Sequence, residues 1–162
     1  MSASSASAAA IVFEPEFLAG LTTIFEEKIV FNQLLGLKVT SIAPQQVVAR
    51  IDMRPELVGH YAYNRIHGGV ISAGLDAMGG LAVMAAIGAK HMSEPPEQRL
   101  HRFAKLGTID LRIDYLRPGR GQHFTAQAVL LRSGNKVAVV RSELHADDGT
   151  LVAVGTGTYL CG

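Results

Sequence analysis

Between Val70 and Ala89 the chain carries a single charge, Asp76, in a stretch otherwise made of Ala, Gly, Val, Ile, Leu, Met and one serine. After Asp76 the apolar run from Ala77 to Ala89 is shorter than the roughly 20 residues a bilayer span needs, and Gly79, Gly80 and Gly88 lie within it. The segment His67 to Gly88 therefore reads as the core helix of a soluble fold, with no membrane span. A helix that is apolar on every side has to be covered on every side. What covers it decides the architecture.

Strands are the available cover. Thr108, Asp110, Arg112 and Asp114 alternate with Ile109, Leu111, Ile113 and Tyr115, a period of two that puts one face in the core and the other in water. Runs at His123 to Leu131, Lys136 to Ala146 and Thr150 to Leu160 follow, joined by Pro118-Gly119, Ser133-Gly134-Asn135 and Asp147-Asp148-Gly149, all turn signals. Leu37 to Ala43 and Val47 to Met53 predict a hairpin around Pro44-Gln45-Gln46. Glu14 to about Gln33 has the apolar spacing of an amphipathic helix, and Asn32 to Gly36 a helical turn closing at glycine. Arg54 to Ile66 is a long loop and Ser93 to Lys105 a polar connection. The fold class is thus α+β: a six-stranded antiparallel sheet wrapped by its twist around a central apolar helix, plus an N-terminal amphipathic helix. Met1 to Ala10, all Met, Ser and Ala, is expected to be a disordered tail without the features of a secretory signal, leaving one domain over residues 11–162.

Composition excludes several classes. With 162 residues, 48% of them hydrophobic, the chain is long enough to build its core without staples, a domain of this size burying about 70% of its unfolded surface. A net charge of +1 lacks the basic stripe of a nucleic-acid binder. The lone Cys161 rules out an internal disulfide and a Cys-based metal site, and fits a reducing cytoplasm. The six histidines are scattered without ligand spacing, so no metal is expected. Gly-x-Ser-x-Gly, a phosphate loop and a dinucleotide fingerprint are all missing.

Chemistry concentrates in Asn64-Arg65-Ile66-His67-Gly68-Gly69 and the helix behind it. Gly68 and Gly69 stand at a helix start, where backbone N–H groups lack helical partners and the dipole favours negative charge. A carbonyl oxygen becoming an oxyanion fits there; equally, two glycines make a tight loop-to-helix turn. Asp76, about two turns on, is a costly carboxylate in apolar surroundings unless it is used, or unless backbone donors or Ser72 satisfy it. His67 is given the supporting role of shaping the turn. Leu57, Val58, Met78 and Leu81 either line an acyl slot or serve as core. Arg99, His101, Arg102 and Lys105, and Arg117, Arg120, Arg132 and Lys136 near the turns, are solvated charges or a rim for phosphates.

These residues resemble the hotdog-fold acyl-CoA thioesterases, specifically the phenylacetate-degradation type. The likeness rests on His67-Gly68-Gly69 with an acid nine residues after the histidine, Tyr115-Leu116-Arg117-Pro118, Ser133-Gly134-Asn135-Lys136, and Asp148-Gly149-Thr150-Leu151-Val152-Ala153. It implies a homodimer with sheets joined edge to edge, often paired into a homotetramer, with active sites at the dimer interface. By the same resemblance the Gly68 N–H polarises the thioester carbonyl, Asp76 of the other subunit is nucleophile or general base, and Thr108 helps to place water. The family often has Asn or Gln six residues before the histidine; here that place is Tyr61 and the nearest amide is Asn64.

The expected activity is hydrolysis of an acyl-CoA thioester to free acid and coenzyme A, with catalytic Asp76, Gly68 and Thr108. Substrate-binding residues are Asn64, His67, Gly69, Arg117, Arg132, Ser133 and Lys136. No cofactor is expected, coenzyme A being part of the substrate. A non-catalytic acyl-CoA binding module on the same fold is the alternative, with a hydratase a third reading.

Overall fold

The structure, a computed structural model, describes residues 11–162; the expected tail over residues 1–10 lies outside them. The apolar segment forms α3 (Gly68–Lys90). Around it runs a six-stranded antiparallel sheet of β1 (Leu37–Ile42), β2 (Gln46–Asp52), β5 (Gly107–Tyr115), β6 (His123–Ser133), β7 (Val137–Ala146) and β8 (Leu151–Leu160), in the spatial order β1-β2-β6-β7-β8-β5. This is the hotdog arrangement expected from the sequence. The one helix among the described residues that is long and apolar enough to cross a bilayer is this core helix, and most of it is buried.

The sheet does not cover α3 alone. It meets the helix through Ile51 at Gly74 and Tyr159 at Gly79, while Phe17 packs on Gly88 and Phe25 on Gly80. Those two phenylalanines come from the N-terminal segment, which is not the continuous helix that periodicity suggests. After α1 (Pro15–Thr23) the chain widens into a π-turn over Ile24–Lys28, leaves helical geometry at Ile29 (φ −83°, ψ 93°), and resumes as α2 (Val30–Leu35), closed by Gly36 at φ 70°. The cause is tertiary: buried Asn32 donates through Nδ2 to the Phe25 carbonyl at 2.9 Å, holding the widened turn while Phe25 enters the core.

Two connections are more ordered than expected. The loop after β2 contains the short strands β3 (Val58–His60) and β4 (Arg65–Ile66), with Asn64 between them at φ 46°, a left-handed conformation that Asn tolerates better than most residues. The polar connection contains α4 (Pro96–His101), started by proline at its first position. Arg99 is 0% exposed, donates to Glu14 Oε2 at 2.5 Å, and lies over the Phe17 ring at 4.5 Å. Arg102 pairs with Glu94. Arg99 is therefore an internal tie and Arg102 a half-exposed ion pair, and neither is a free rim charge.

The hydrogen bond from Arg99 holds the Glu14 carboxyl below its usual range. A depressed carboxylate pKa stabilises the fold above the unfolded-state value, and that contribution is lost as pH falls through the folded-state value. Glu14→Gln is expected to lower the melting temperature by several degrees at neutral pH, because it strands a buried guanidinium. The gap to wild type should close as pH falls below about 4.5, which thermal melts across a pH series would check.

Candidate active site

Asp76 sits partly buried on α3, on the side facing β5 and β8. It is not sealed in apolar surroundings as the sequence suggests: two hydroxyls reach it. Thr108 Oγ1 donates to Asp76 Oδ1 at 2.9 Å, and the Tyr159 hydroxyl lies 3.2 Å from the same oxygen. Ser72, the alternative partner, instead donates to the Gly69 carbonyl at 3.1 Å.

Strict alternation would put Thr108 on the water face with Asp110 and Arg112. A β-bulge between Thr108 and Asp110, where β5 pairs with β8, reverses it. An extra residue in one strand flips the faces beyond it, so Thr108 joins Ile113 and Tyr115 on the helix side. β5 is also an edge strand. Its expected core face is consequently only part-covered: Leu111 and Ile113 are half-buried, while Ile109 and Tyr115 are 57% and 54% exposed.

Tyr159 is a site residue the sequence reading missed. It is 1% exposed. A Cβ on Gly79 would overlap its hydroxyl, and one on Gly157 would come within 2.7 Å of its ring. The one sequence trace of it is Gly157, two residues earlier on the same strand; the other glycine that makes room for it, Gly79, lies far away on α3. Burial, and then the Asp76 charge, push the phenol pKa far up.

Beside Asp76 and Thr108 opens a recess of about 230 Å³, walled by Phe25, Ile29, Phe31, Asn32, Phe103 and Leu106. Its walls are mainly apolar. Of the residues read as either slot or core, Leu57, Met78 and Leu81 are 3%, 0% and 0% exposed and belong to the core. Val58 is half-buried in β3.

At the start of α3, His67 Nδ1 accepts the Gly69 N–H at 2.8 Å. His67 is thus the N-cap, in its Nε2-protonated tautomer, and Gly69, expected to bind substrate, has no N–H to spare. The Gly68 N–H has no partner among the described residues, while the Gly68 carbonyl accepts from the Tyr115 hydroxyl at 3.0 Å. Gly68 shares a shallow groove with His60, Arg65, His67 and Arg117. Arg117 donates to the Leu151 carbonyl at 3.2 Å.

Other expected residues are not gathered here. Asn64 is exposed and serves the β3–β4 turn, and Tyr61, in the place of the family amide, is 92% exposed. Arg132, Ser133 and Lys136 lie exposed at the β6–β7 hairpin, where Lys90 at the far end of α3 donates to Asn135 at 3.0 Å. At 1.5 Å per residue, that end is about 33 Å from Gly68. The same arithmetic separates Gly68 from Asp76 by about 12 Å along the axis. One carbonyl cannot sit about 3 Å from both groups of a single chain. Among the described residues no three His, Cys, Asp or Glu side chains converge as metal ligands would.

The model of the thioesterase superfamily matches residues 63–153. Medium/long-chain acyl-CoA thioesterase YigI of Salmonella typhimurium is 42% identical over 82% of this chain and 85% of its own length; the Escherichia coli K12 protein of that name is 41% identical over the same shares. A crystal structure of a Shewanella oneidensis protein, described as related to the thioesterase superfamily, is 41% identical, covers 93% of this chain and all of its own, and superposes with a TM-score of 0.85.

A phenol whose pKa is raised on folding stabilises the fold below its unfolded value of 10.0, and that contribution is lost as pH rises beyond it. Wild-type protein should therefore lose stability above about pH 10 more steeply than Tyr159→Phe, in denaturant melts at alkaline pH. Asp76→Asn, which removes the neighbouring charge, should bring the slowest tyrosine in an ultraviolet titration to lower pH.

Proposed function

The chain belongs to the thioesterase superfamily, and on that premise we propose that it hydrolyses acyl-CoA thioesters to a free acid and coenzyme A. The observation that carries this reading is a carboxylate with one oxygen free, opening onto an apolar recess, together with an unpartnered helix-start N–H at Gly68. Thioester hydrolysis needs those three parts: an activating or attacking carboxylate, an acyl slot and an oxyanion donor. The mainly apolar recess suits a hydrophobic acyl tail, in keeping with the medium- and long-chain substrates in the names of the relatives.

The separation of Gly68 from Asp76 calls for two chains. In this reading Gly68 of one subunit polarises the carbonyl and Asp76 of its partner acts on the carbon, so a homodimer is the smallest complete unit, whether or not dimers pair again. The edge strand β5, with Ile109 and Tyr115 exposed, supports edge-to-edge joining. Arg132 and Lys136 have no acidic partner among the described residues. With Ser133 and Arg117 they are assigned to the phosphates of coenzyme A, reached across the dimer. Neither a cofactor nor a metal is invoked, and the free Cys161 thiol suits the cytoplasm.

Thiol release from short, medium, long and aromatic acyl-CoA substrates tests the activity. Asp76→Asn should lower kcat by about 10²–10⁴-fold. A wild type silent on every substrate would overturn the proposal, and tight binding without turnover would make the protein an acyl-CoA binding module.

Gly68→Pro tests the shared site. Proline suits the first helical position and His67 already has the extended backbone that proline requires before it (φ −68°, ψ 138°); the N–H is lost and the ring carbons pack against Tyr115. A statistical mixture of Gly68→Pro and Asp76→Asn chains has one intact site in each heterodimer and should recover about a quarter of wild-type activity. No recovery in a mixture shown to contain heterodimers would overturn the shared site.

A further inference from the structure

Both hydroxyls near Asp76 converge on one of its two oxygens. Thr108 Oγ1 stands 2.9 Å and the Tyr159 hydroxyl 3.2 Å from Oδ1, and the phenol is also 3.2 Å from the Asp76 main-chain carbonyl. Oδ2 has no donor among the described residues. The side chain is thus held at one oxygen and bare at the other.

The setting of Tyr159 is more costly than packing requires. A phenylalanine would fill the same slot without burying a hydroxyl that then needs a partner. Instead Gly79 and Gly157 clear room for the ring and its oxygen, although glycine within a helix is destabilising relative to alanine. Thr108 reaches the same oxygen only because β5 carries its bulge. Two independent backbone adjustments therefore serve a single atom.

We propose that Tyr159 is a positioning residue that, together with Thr108, clamps Asp76 Oδ1 and so presents Oδ2 as the oxygen that acts in the reaction. This rests on the thioesterase reading of Asp76 given above. As a base, Oδ2 takes a proton from water, the water oxygen bonds to the carbonyl carbon, the C–S bond breaks and the proton passes to the departing thiolate. As a nucleophile, Oδ2 bonds to the carbon and the thiolate leaves; water then gives its hydroxyl to the acyl carbon and its proton to the thiolate, the anhydride bond breaks and the Asp76 carboxylate is restored. Either course needs the carboxylate plane fixed within about 10–20°; the Thr108 hydroxyl, and the phenol proton shared between Oδ1 and the Asp76 main-chain carbonyl, both oppose a rotation that would exchange the two oxygens. Since burial and the Asp76 charge keep the phenol protonated, it remains a donor throughout the working pH range. The other walls of the recess, from Phe25 and Ile29 to Phe103 and Leu106, bring no second charge to compete for the carboxylate.

The test is steady-state kinetics on the full-length protein with a medium-chain acyl-CoA, comparing Tyr159→Phe, Thr108→Val, Thr108→Ser and Asp76→Asn. Tyr159→Phe should lower kcat by about 10- to 100-fold, the scale of a small misplacement of a catalytic group, with KM little changed and cooperative melting retained. Thr108→Val should behave likewise, and Thr108→Ser should recover the activity that valine loses; this pair carries the test should Tyr159→Phe fail to fold. Wild-type kcat in Tyr159→Phe overturns the inference, and so does a rise in KM alone, which would make Tyr159 a wall of the recess. Full activity in Asp76→Asn would sink the underlying reading of Asp76 instead, so the two failures are distinguishable.

Discussion

The close approach of bulky side chains to the backbone of α3 organises the whole molecule. Gly74, Gly79, Gly80 and Gly88 let Ile51, Tyr159, Phe25 and Phe17 press onto the helix from opposite sides. Each glycine lowers intrinsic helix stability by about 1 kcal/mol relative to alanine, a cost an exposed helix would not bear. Burying each large side chain returns about 1.5–3 kcal/mol. The helix is therefore stable only when wrapped, and the sheet, the N-terminal segment and α4 are arranged to wrap it.

That arrangement also explains how a carboxylate survives in so apolar a helix. Asp76 lies where the sheet ends at β5 and the N-terminal wall has begun, so the cover is incomplete and the side chain is only partly buried. Its remaining need for donors is met by two hydroxyls from the last two strands in the sheet order. The same gap in the cover is the mouth of the recess.

How far the sequence could be read depended on whether a feature was local. α3, the six strands and their turns were visible because alternation and turn chemistry are written in neighbouring residues. Gly68 and Asp76 stood out because glycine pairs and lone acids are conspicuous against an apolar helix. What stayed hidden depends on which groups a side chain bonds, most of them far away in the chain. Asn32 breaks the N-terminal helix by bonding the Phe25 carbonyl, and Arg99 is internal because Glu14, 85 residues earlier, neutralises it. The bulge that turns Thr108 inward leaves no mark in an alternating pattern. Tyr159 matters only through Gly79, which no short window contains alongside it. Arg132, Ser133 and Lys136, grouped with Gly68 by motif, lie at the other end of the helix because α3 itself holds the two ends apart.

The widened turn at Ile24–Lys28 has a bearing on how such a protein can diverge. It hands Phe25, Ile29 and Phe31 to the recess from a segment that contributes nothing to the hydrogen bonds on Asp76. Phe25 is pinned against α3, but side-chain volume at Ile29 and Phe31 can change by single substitutions while the carboxylate and its two donors keep their geometry. Changes to the wall of the recess and changes to the carboxylate and its donors thus fall on different stretches of the gene, and a lineage can alter the first without crossing a valley in the second.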